Sequence, residues 1–360
     1  MKKIKSTAPG RICLFGEHQD YMALPVITAA IGLVIETEGS VGKGGTVDIT
    51  MPDTDEHIVF QSDNIIYESK KDYLKSGFKV LKDKGLIGNM DVNAVLKGNI
   101  PIKAGTSSSS ALAVSWVGFL LSSVWTKEKI LNNRDMIAEF AYLSEVEEFG
   151  ESGGRMDQYA SALGKINYFT FHDEKKHISL PAELSGFVLG DSGEPKDTQK
   201  TLKRIRTAQE SGLKELNSIF SFKDNFSVDY EIAKNYFNRI SPELRPYLRA
   251  VLINHKITED AKSALSKKNC NKERIASLMN SHHAVLRDEL KLSTKKIEKM
   301  IDFSLNAGAL SAKINGSGEG GCMFAYCPGR EEQVSEAIKS AGGTPYILDI
   351  NEGLTVEITE

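Results

Sequence analysis

The chain has 360 residues, a net charge of −3, 41% hydrophobic and 26% charged residues. This balance gives no general attraction to nucleic acid or to an anionic membrane, and the composition is that of a globular protein. Single cores stop growing at about 250–300 residues, so two domains are expected.

The basic start, MKKIKSTAPG, is not followed by an apolar h-region and does not read as a signal peptide. Strand-type runs follow at 11–15, 26–36, 46–51 and 92–96, and 72–84 predict a helix, with Tyr73, Leu74, Phe78, Val80 and Leu81 partly at helical spacing. The apolar run at 108–125 predicts a buried helix; it carries serines and falls short of the roughly 20 residues a bilayer requires. Asn133-Arg134-Asp135 introduces a helix with Ile137, Phe140, Ala141 and Ser144 on one stripe, and 166–171 read as a strand. Beyond about 176 come charged amphipathic helices at 200–220, 228–265 and 296–307, then strands at 312–314, 322–327 and 354–358. The pattern predicts an α+β protein: a mixed domain over 1–178 and a helix-rich domain with a small sheet over 179–360, divided near the polar stretch 172–177. Cys13, Cys270, Cys322 and Cys327 form no C-x-x-C pair, and the odd separation of Cys322 and Cys327 on one strand argues against a disulfide. A soluble, cytoplasmic protein is expected, binding neither nucleic acid nor membrane.

Three glycine-bearing segments carry the chemistry. In PIKAGTSSSSALAV (101–114), Gly105 permits a tight turn, and Ser107, Ser108, Ser109 and Ser110 stand where a helix opens. One capping serine explains this stretch as well as a phosphate site does, the latter built from free N–H groups, the helix dipole and hydroxyls suited to Mg2+. No G-x-x-x-x-G-K-[ST] occurs, which excludes a P-loop. In KINGSGEGGC (313–322), Gly316, Gly318 and Gly321 form a formal G-x-G-x-x-G, but strand-like residues follow where a Rossmann fold needs a helix. A tight turn or a loop pressed on phosphates remains, and the density of glycine favours the loop. In APGRICLFGEHQDY (8–21), an apolar strand ends at Gly16 and presents Glu17, His18, Asp20 and Tyr21 together, as a site for a polyhydroxylated ligand does. A solvated turn would explain Asp20 but not the Glu-His pair or Tyr21.

Together and in their chain order (8–21, 101–114, then 313–322 as the third), the three segments resemble the motifs of the GHMP kinases, and among these most of all the galactokinases. Gly153-Gly154-Arg155-Met156-Asp157-Gln158 resembles their G-x-M-D-Q, 279–288 resembles their M-x-x-S-H-x-S-L-R-D, and 187–206, with Asp191-Ser192-Gly193, stands where they carry a strand and then a helix. Cys13 replaces the usual Asn, residues 12–18 read partly like mevalonate kinases, and Met22-Ala23-Leu24 replaces Asn-Gly-Gly near the sugar, so the hexose stays open.

The resemblance implies a two-domain GHMP kinase fold with ATP in the cleft. It implies transfer of the γ-phosphate to a sugar hydroxyl, the anomeric C1 hydroxyl of galactose or a related hexose. Asp157 would be the base, with a helix N-cap as its plain structural alternative, and Arg11 would sit beside Asp157 and the phosphoryl group. Gly105, Ser107, Ser108, Ser109, Ser110, Gly316 and Gly318 would hold ATP, Ser109 and Glu145 would hold Mg2+, and Glu17, His18, Asp20 and Asp191 would hold the sugar. His282 and His283 would be structural. A kinase of another alcohol such as mevalonate, and a non-catalytic sugar and ATP sensor, are the alternatives. The partners would be a sugar and ATP, and the protein a monomer or homodimer.

Overall fold

The computed structural model describes residues 2–69, 71–101, 105–172 and 176–359. Residues 102–104 of the serine-rich segment and 173–175 of the polar stretch at the expected boundary lie outside the described residues.

The first sheet is mixed. Strand β1 (Lys2–Phe15) lies between β2 (Val26–Gly42) and the last strand of the chain, β12 (Thr355–Thr359). Beyond β2 the order continues through β5 (Asp91–Gly98), β3 (Thr46–Met51) and β4 (Glu56–Gln61). Strand β6 (Ile166–Thr170) also pairs with β2, and β7 (Lys176–Ser179) with β6. The β3–β5 pair is parallel and the others antiparallel. Helices α1 (Tyr73–Asp83), α2 (Ser108–Leu121), α3 (Lys127–Asn132), α4 (Arg134–Tyr142) and α5 (Met156–Leu163) accompany it. Helix α2 is apolar nearly all round, and 11 of its 14 residues are buried; only a helix enclosed by other elements tolerates that pattern.

The second sheet is antiparallel, in the order β11 (Thr344–Leu348), β8 (Phe187–Asp191), β10 (Cys322–Tyr326), β9 (Ser311–Ile314). Of helices α6 (Thr198–Ile219), α7 (Tyr230–Ala233), α8 (Arg245–Leu265), α9 (Lys272–Asp288), α10 (Lys295–Asn306) and α11 (Glu331–Ser340), the last three pack on it, α8 packs on α9 and on strands β1 and β2, and α6 and α7 pack on α8. The expected α+β arrangement is what forms.

Two elements depart from expectation. The single helix over 228–265 is broken: α7 gives way to a 3-10 turn at Lys234–Arg239, and α8 starts only at Arg245. Pro242 disfavours helix at the residue before it, while Pro246 lies in the first turn of α8, where its missing N–H costs nothing. Strand β1 begins nine residues earlier than the apolar run predicts, because residues 3–7 are paired on both sides, by β12 and β2. All four cysteines are free. Among the described residues, no helix is long and apolar enough to cross a membrane.

Candidate active site

Strand β1 is irregular where it matters. Its register against β2 shifts between Pro9 and Arg11, as befits a strand carrying proline, which donates no ladder hydrogen bond. A Cβ on Gly10 would lie 2.6 Å from the Thr106 carbonyl oxygen, so only glycine lets β1 approach the serine loop this closely. Arg11 N–H donates to that same carbonyl at 3.2 Å.

The bulge delivers the Arg11 guanidinium to Asp157. Nε donates to Oδ1 and Nη2 to Oδ2, both at 2.8 Å, while Nη1 donates to the Gly105 carbonyl at 2.7 Å. This is the fork-on-carboxylate geometry that fixes a carboxylate in orientation as well as charge. Arg11's side chain is 4% exposed and Asp157's 29%, so the carboxylate remains partly open to solvent. Helix α5 starts at Met156 with Arg155 at its N-cap position, so Asp157 sits in the first turn and is not the cap. The positive end of the helix supports its charge there.

The serine loop enters α2 through Gly105 (φ 88°) and Ser107 (φ 63°), and no side chain caps the helix. The hydroxyls of Thr106 and Ser107 are buried and have no partner. The first-turn N–H groups of α2 are therefore left without a side-chain cap, as at an anion site. Gly316, Gly318, Gly320 and Gly321 all have positive φ, and a Cβ on Gly316 would come 2.9 Å from the Gly105 carbonyl. Asn315 ties the segments together: Nδ2 donates to the Gly105 carbonyl and Oδ1 accepts from Cys13 N–H, each at 2.9 Å. All three glycine segments thus meet at one place.

Glu145 lies in a π-helical turn, Leu143–Glu147, of a kind often found at functional positions. Burial pushes its carboxyl up to about 7, opposed by hydrogen bonds from Ser109, Gln158 and Ser110. The Gln158 amide donates at 2.6 Å. Ser109 is exposed, Ser108 is half-buried and Ser110 is buried. The serine and glutamate expected at a metal thus do come together.

The four residues expected on the sugar are placed differently from one another. Asp20 is partly exposed; its Oδ2 accepts from Met156 N–H at 3.1 Å, and burial pushes its carboxyl up to about 6. A Cβ on Gly154 would collide with this carboxylate. Asp191 ends β8, accepts from Gly193 N–H at 2.9 Å and lies near Lys196. Glu17, 1% exposed, is instead held by Lys313 Nζ in the interior, with His282 Nδ1 at 3.5 Å. His18 is 4% exposed, with Nε2 facing the Ser317 carbonyl at 3.1 Å and Nδ1 2.9 Å from the Tyr21 hydroxyl. Burial pushes its imidazole down to about 4, so the ring is neutral. Both side chains are thus held by the protein itself, Glu17 by Lys313 and His18 by Tyr21 and the Ser317 carbonyl, while Glu17 Oε2 is buried without a hydrogen-bond partner among the described residues.

The GHMP kinases N terminal domain matches residues 72–165, the GHMP kinases C terminal domain residues 263–344, and the galactokinase galactose-binding signature residues 2–39. The mevalonate kinase of Pyrococcus horikoshii is 30% identical over 99% of this chain and 98% of its own. The chain belongs to the GHMP kinases. The galactokinase of Mannheimia succiniciproducens is 25% identical, covering 92% of this chain and 86% of its own. In fold, the galactokinase of Lactococcus lactis, solved with galactose, superposes with a TM-score of 0.81 at 20% identity, covering 98% of this chain and 95% of its own. GHMP kinases use ATP, and this one is an enzyme of the sugar- and mevalonate-kinase type.

Three residues of this GHMP kinase site escape sequence reasoning. Asn315 and Lys313 stand inside the third segment, but what marks them, a contact with β1 from about 300 residues away, exists only in the fold. Lys196 lies in a polar loop between β8 and α6 that reads as an ordinary turn.

Proposed function

We propose that this GHMP kinase transfers the γ-phosphoryl group of ATP to a hexose, at the anomeric hydroxyl of galactose or a close relative, in a cleft between domains spanning 1–178 and 179–360. The observation that carries the reading is a pair of carboxylates at the start of α5. Asp157 is clamped by Arg11, and Asp20 is held by the Met156 amide without a cation of its own. A locked, reachable carboxylate suits a base for the acceptor hydroxyl. The second suits recognition of further hydroxyls: at pH 7 it is mostly ionised, and its charge opposes an acceptor that carries a carboxylate. The free N–H groups of α2 and the loop containing Gly316 and Gly318 hold the phosphates.

Ser109 and Glu145 fit Mg2+. Both offer oxygen, and a buried carboxyl raised to about 7 is one that a cation would relieve. Two protein oxygens suffice for an ion that keeps waters and takes phosphate oxygens as its other ligands. Bound there, Mg2+ would neutralise charge on the phosphates. Ser109→Ala is expected to raise the Mg2+ concentration giving half-maximal rate by roughly 10–100-fold, and Ser110→Ala by much less. Titration of the rate with Mg2+ checks both, and equal effects would remove Ser109 as the ligand.

Kinases of mevalonate-type alcohols are the second reading, favoured by end-to-end similarity to the Pyrococcus enzymes. A coupled assay of ADP release over galactose, other hexoses and mevalonate separates the two. A hexose should release ADP, and Asp20→Ala should raise its KM by about 10–100-fold, the loss of a hydrogen bond to a charged group, with the KM for ATP little changed. ADP release with mevalonate alone overturns the hexose reading. Saturable sugar binding without ADP from any acceptor makes the protein a sensor.

A further inference from the structure

Arg11 is not free to follow a moving charge. Its Nε and Nη2 are committed to Asp157 and its Nη1 to the Gly105 carbonyl. A second cation stands beside it. Lys196 reaches across from the loop between β8 and α6, and its Nζ lies so close to the serine loop that a Cβ on Gly105 would collide with it. The side chain is half-buried, and among the described residues it has no hydrogen-bond or ion-pair partner. Burial, and next the charge of Arg11, pull its ammonium down to about 8. The carboxylates of Asp157 and Asp191 act in the opposite sense without contacting it.

A protein gains nothing in stability by parking an unpaired ammonium next to a guanidinium. The arrangement makes sense when an anion completes it. Two features beside Gly105 fit that anion: the uncapped N-terminus of α2 and the partnerless, buried hydroxyl of Ser107. Phosphoryl transfer passes through a state in which charge spreads over the three equatorial oxygens of the moving group, and a cation aimed at those oxygens lowers the barrier.

We infer that Lys196 is a catalytic residue whose ammonium binds the phosphoryl group as it passes from ATP to the acceptor. The inference rests on the kinase reading above. In the step, a bond forms between the acceptor oxygen and the γ-phosphorus. The bond from that phosphorus to the β,γ-bridging oxygen breaks, and its electron pair leaves with ADP. The acceptor proton passes to Asp157. Lys196 keeps its proton throughout and supplies charge and hydrogen bonds alone. The division of labour follows from the contacts: Arg11 fixes the base, and Lys196 tracks the phosphoryl oxygens.

The test uses the full chain. Lys196→Ala should lower kcat by about 10²–10³-fold, the cost of losing one donor to a transition-state oxyanion, with the acceptor KM changed less than about threefold. Lys196→Arg should recover part of that loss. The ratio of affinities for ATP and ADP, measured by calorimetry without acceptor, should fall in Lys196→Ala, because only ATP carries the contacted group. A kcat within threefold of the parent overturns the inference. So does a loss confined to the KM of carboxylated acceptors, which would assign Lys196 to the acceptor. The affinity ratio needs no turnover: if it is unchanged, the Lys196 contact fails whatever the acceptor is. A parent chain that releases no ADP across the panel instead counts against the proposed function.

Discussion

Asp157→Asn is expected to lower turnover by about 10²–10⁴-fold while leaving ATP affinity nearly intact. The substitution keeps the shape of the side chain and removes what the mechanism uses. An amide cannot take the acceptor proton, and its NH2 would face a guanidinium that has only donors to offer. Arg11 is almost wholly buried, so it also loses the carboxylate that pairs with it. Some loss of stability will accompany the loss of rate, and the two are separated by measuring turnover well below the unfolding midpoint. On the proposed reading ATP is held by α2 and the glycine-rich loop and not by Asp157, so the shift of unfolding midpoint produced by ATP should persist. Near-normal turnover in Asp157→Asn would remove Asp157 as the base. Loss of the ATP-induced shift would show that the carboxylate acts on nucleotide binding instead.

How far the sequence led depends on whether the signal was local. Helix α2 was legible because its serines and its unbroken apolar run lie within 20 residues of one another. The reach of β1 was not, since the partners of residues 3–7 are at 355–359, the far end of the chain. The break before α8 was written in Pro242 and Pro246 but masked by the apolar periodicity on either side. At the site, side-chain type alone made Asp157 an N-cap as readily as a base. Motif resemblance pointed the other way, and the clamp from Arg11, 146 residues distant, gives that choice its physical form. Resemblance set Glu17 and His18 on the ligand; what it did not show is that Lys313 and Ser317, both in the segment 313–322, hold the two side chains. Lys196 left no trace in sequence, because an unpaired cation is recognised only by what surrounds it.

The contact between Lys313 and Glu17 sets up the second large effect. Lys313 is wholly buried, and its Nζ donates to Glu17, to the Cys13 carbonyl at 3.0 Å and to the Ile314 carbonyl at 2.9 Å. The ammonium thereby staples β1, which carries Arg11, to β9, which leads into the glycine-rich loop. His282 does not share the charge of Glu17: burial, and then the charge of Lys313, push its imidazole far below the usual range and keep it neutral. Lys313→Met preserves bulk and strands Glu17 as a buried, uncompensated charge. The expected cost is about 3–5 kcal/mol, an unfolding midpoint lower by roughly 6–10 °C at about 2 °C per kcal/mol. Replacing both partners, Lys313→Met with Glu17→Gln, should return much of that stability, because the penalty lies in the orphaned charge rather than in the lost attraction. Turnover should fall in the single variant even where it remains folded, since β1 and β9 would no longer be pinned at Cys13, two residues from Arg11. A single variant as stable as its parent would mean that Glu17 is not paired as an ion. If, in addition, Glu17→Gln raised the acceptor KM without lowering the unfolding midpoint, the chief role of Glu17 would be on the sugar.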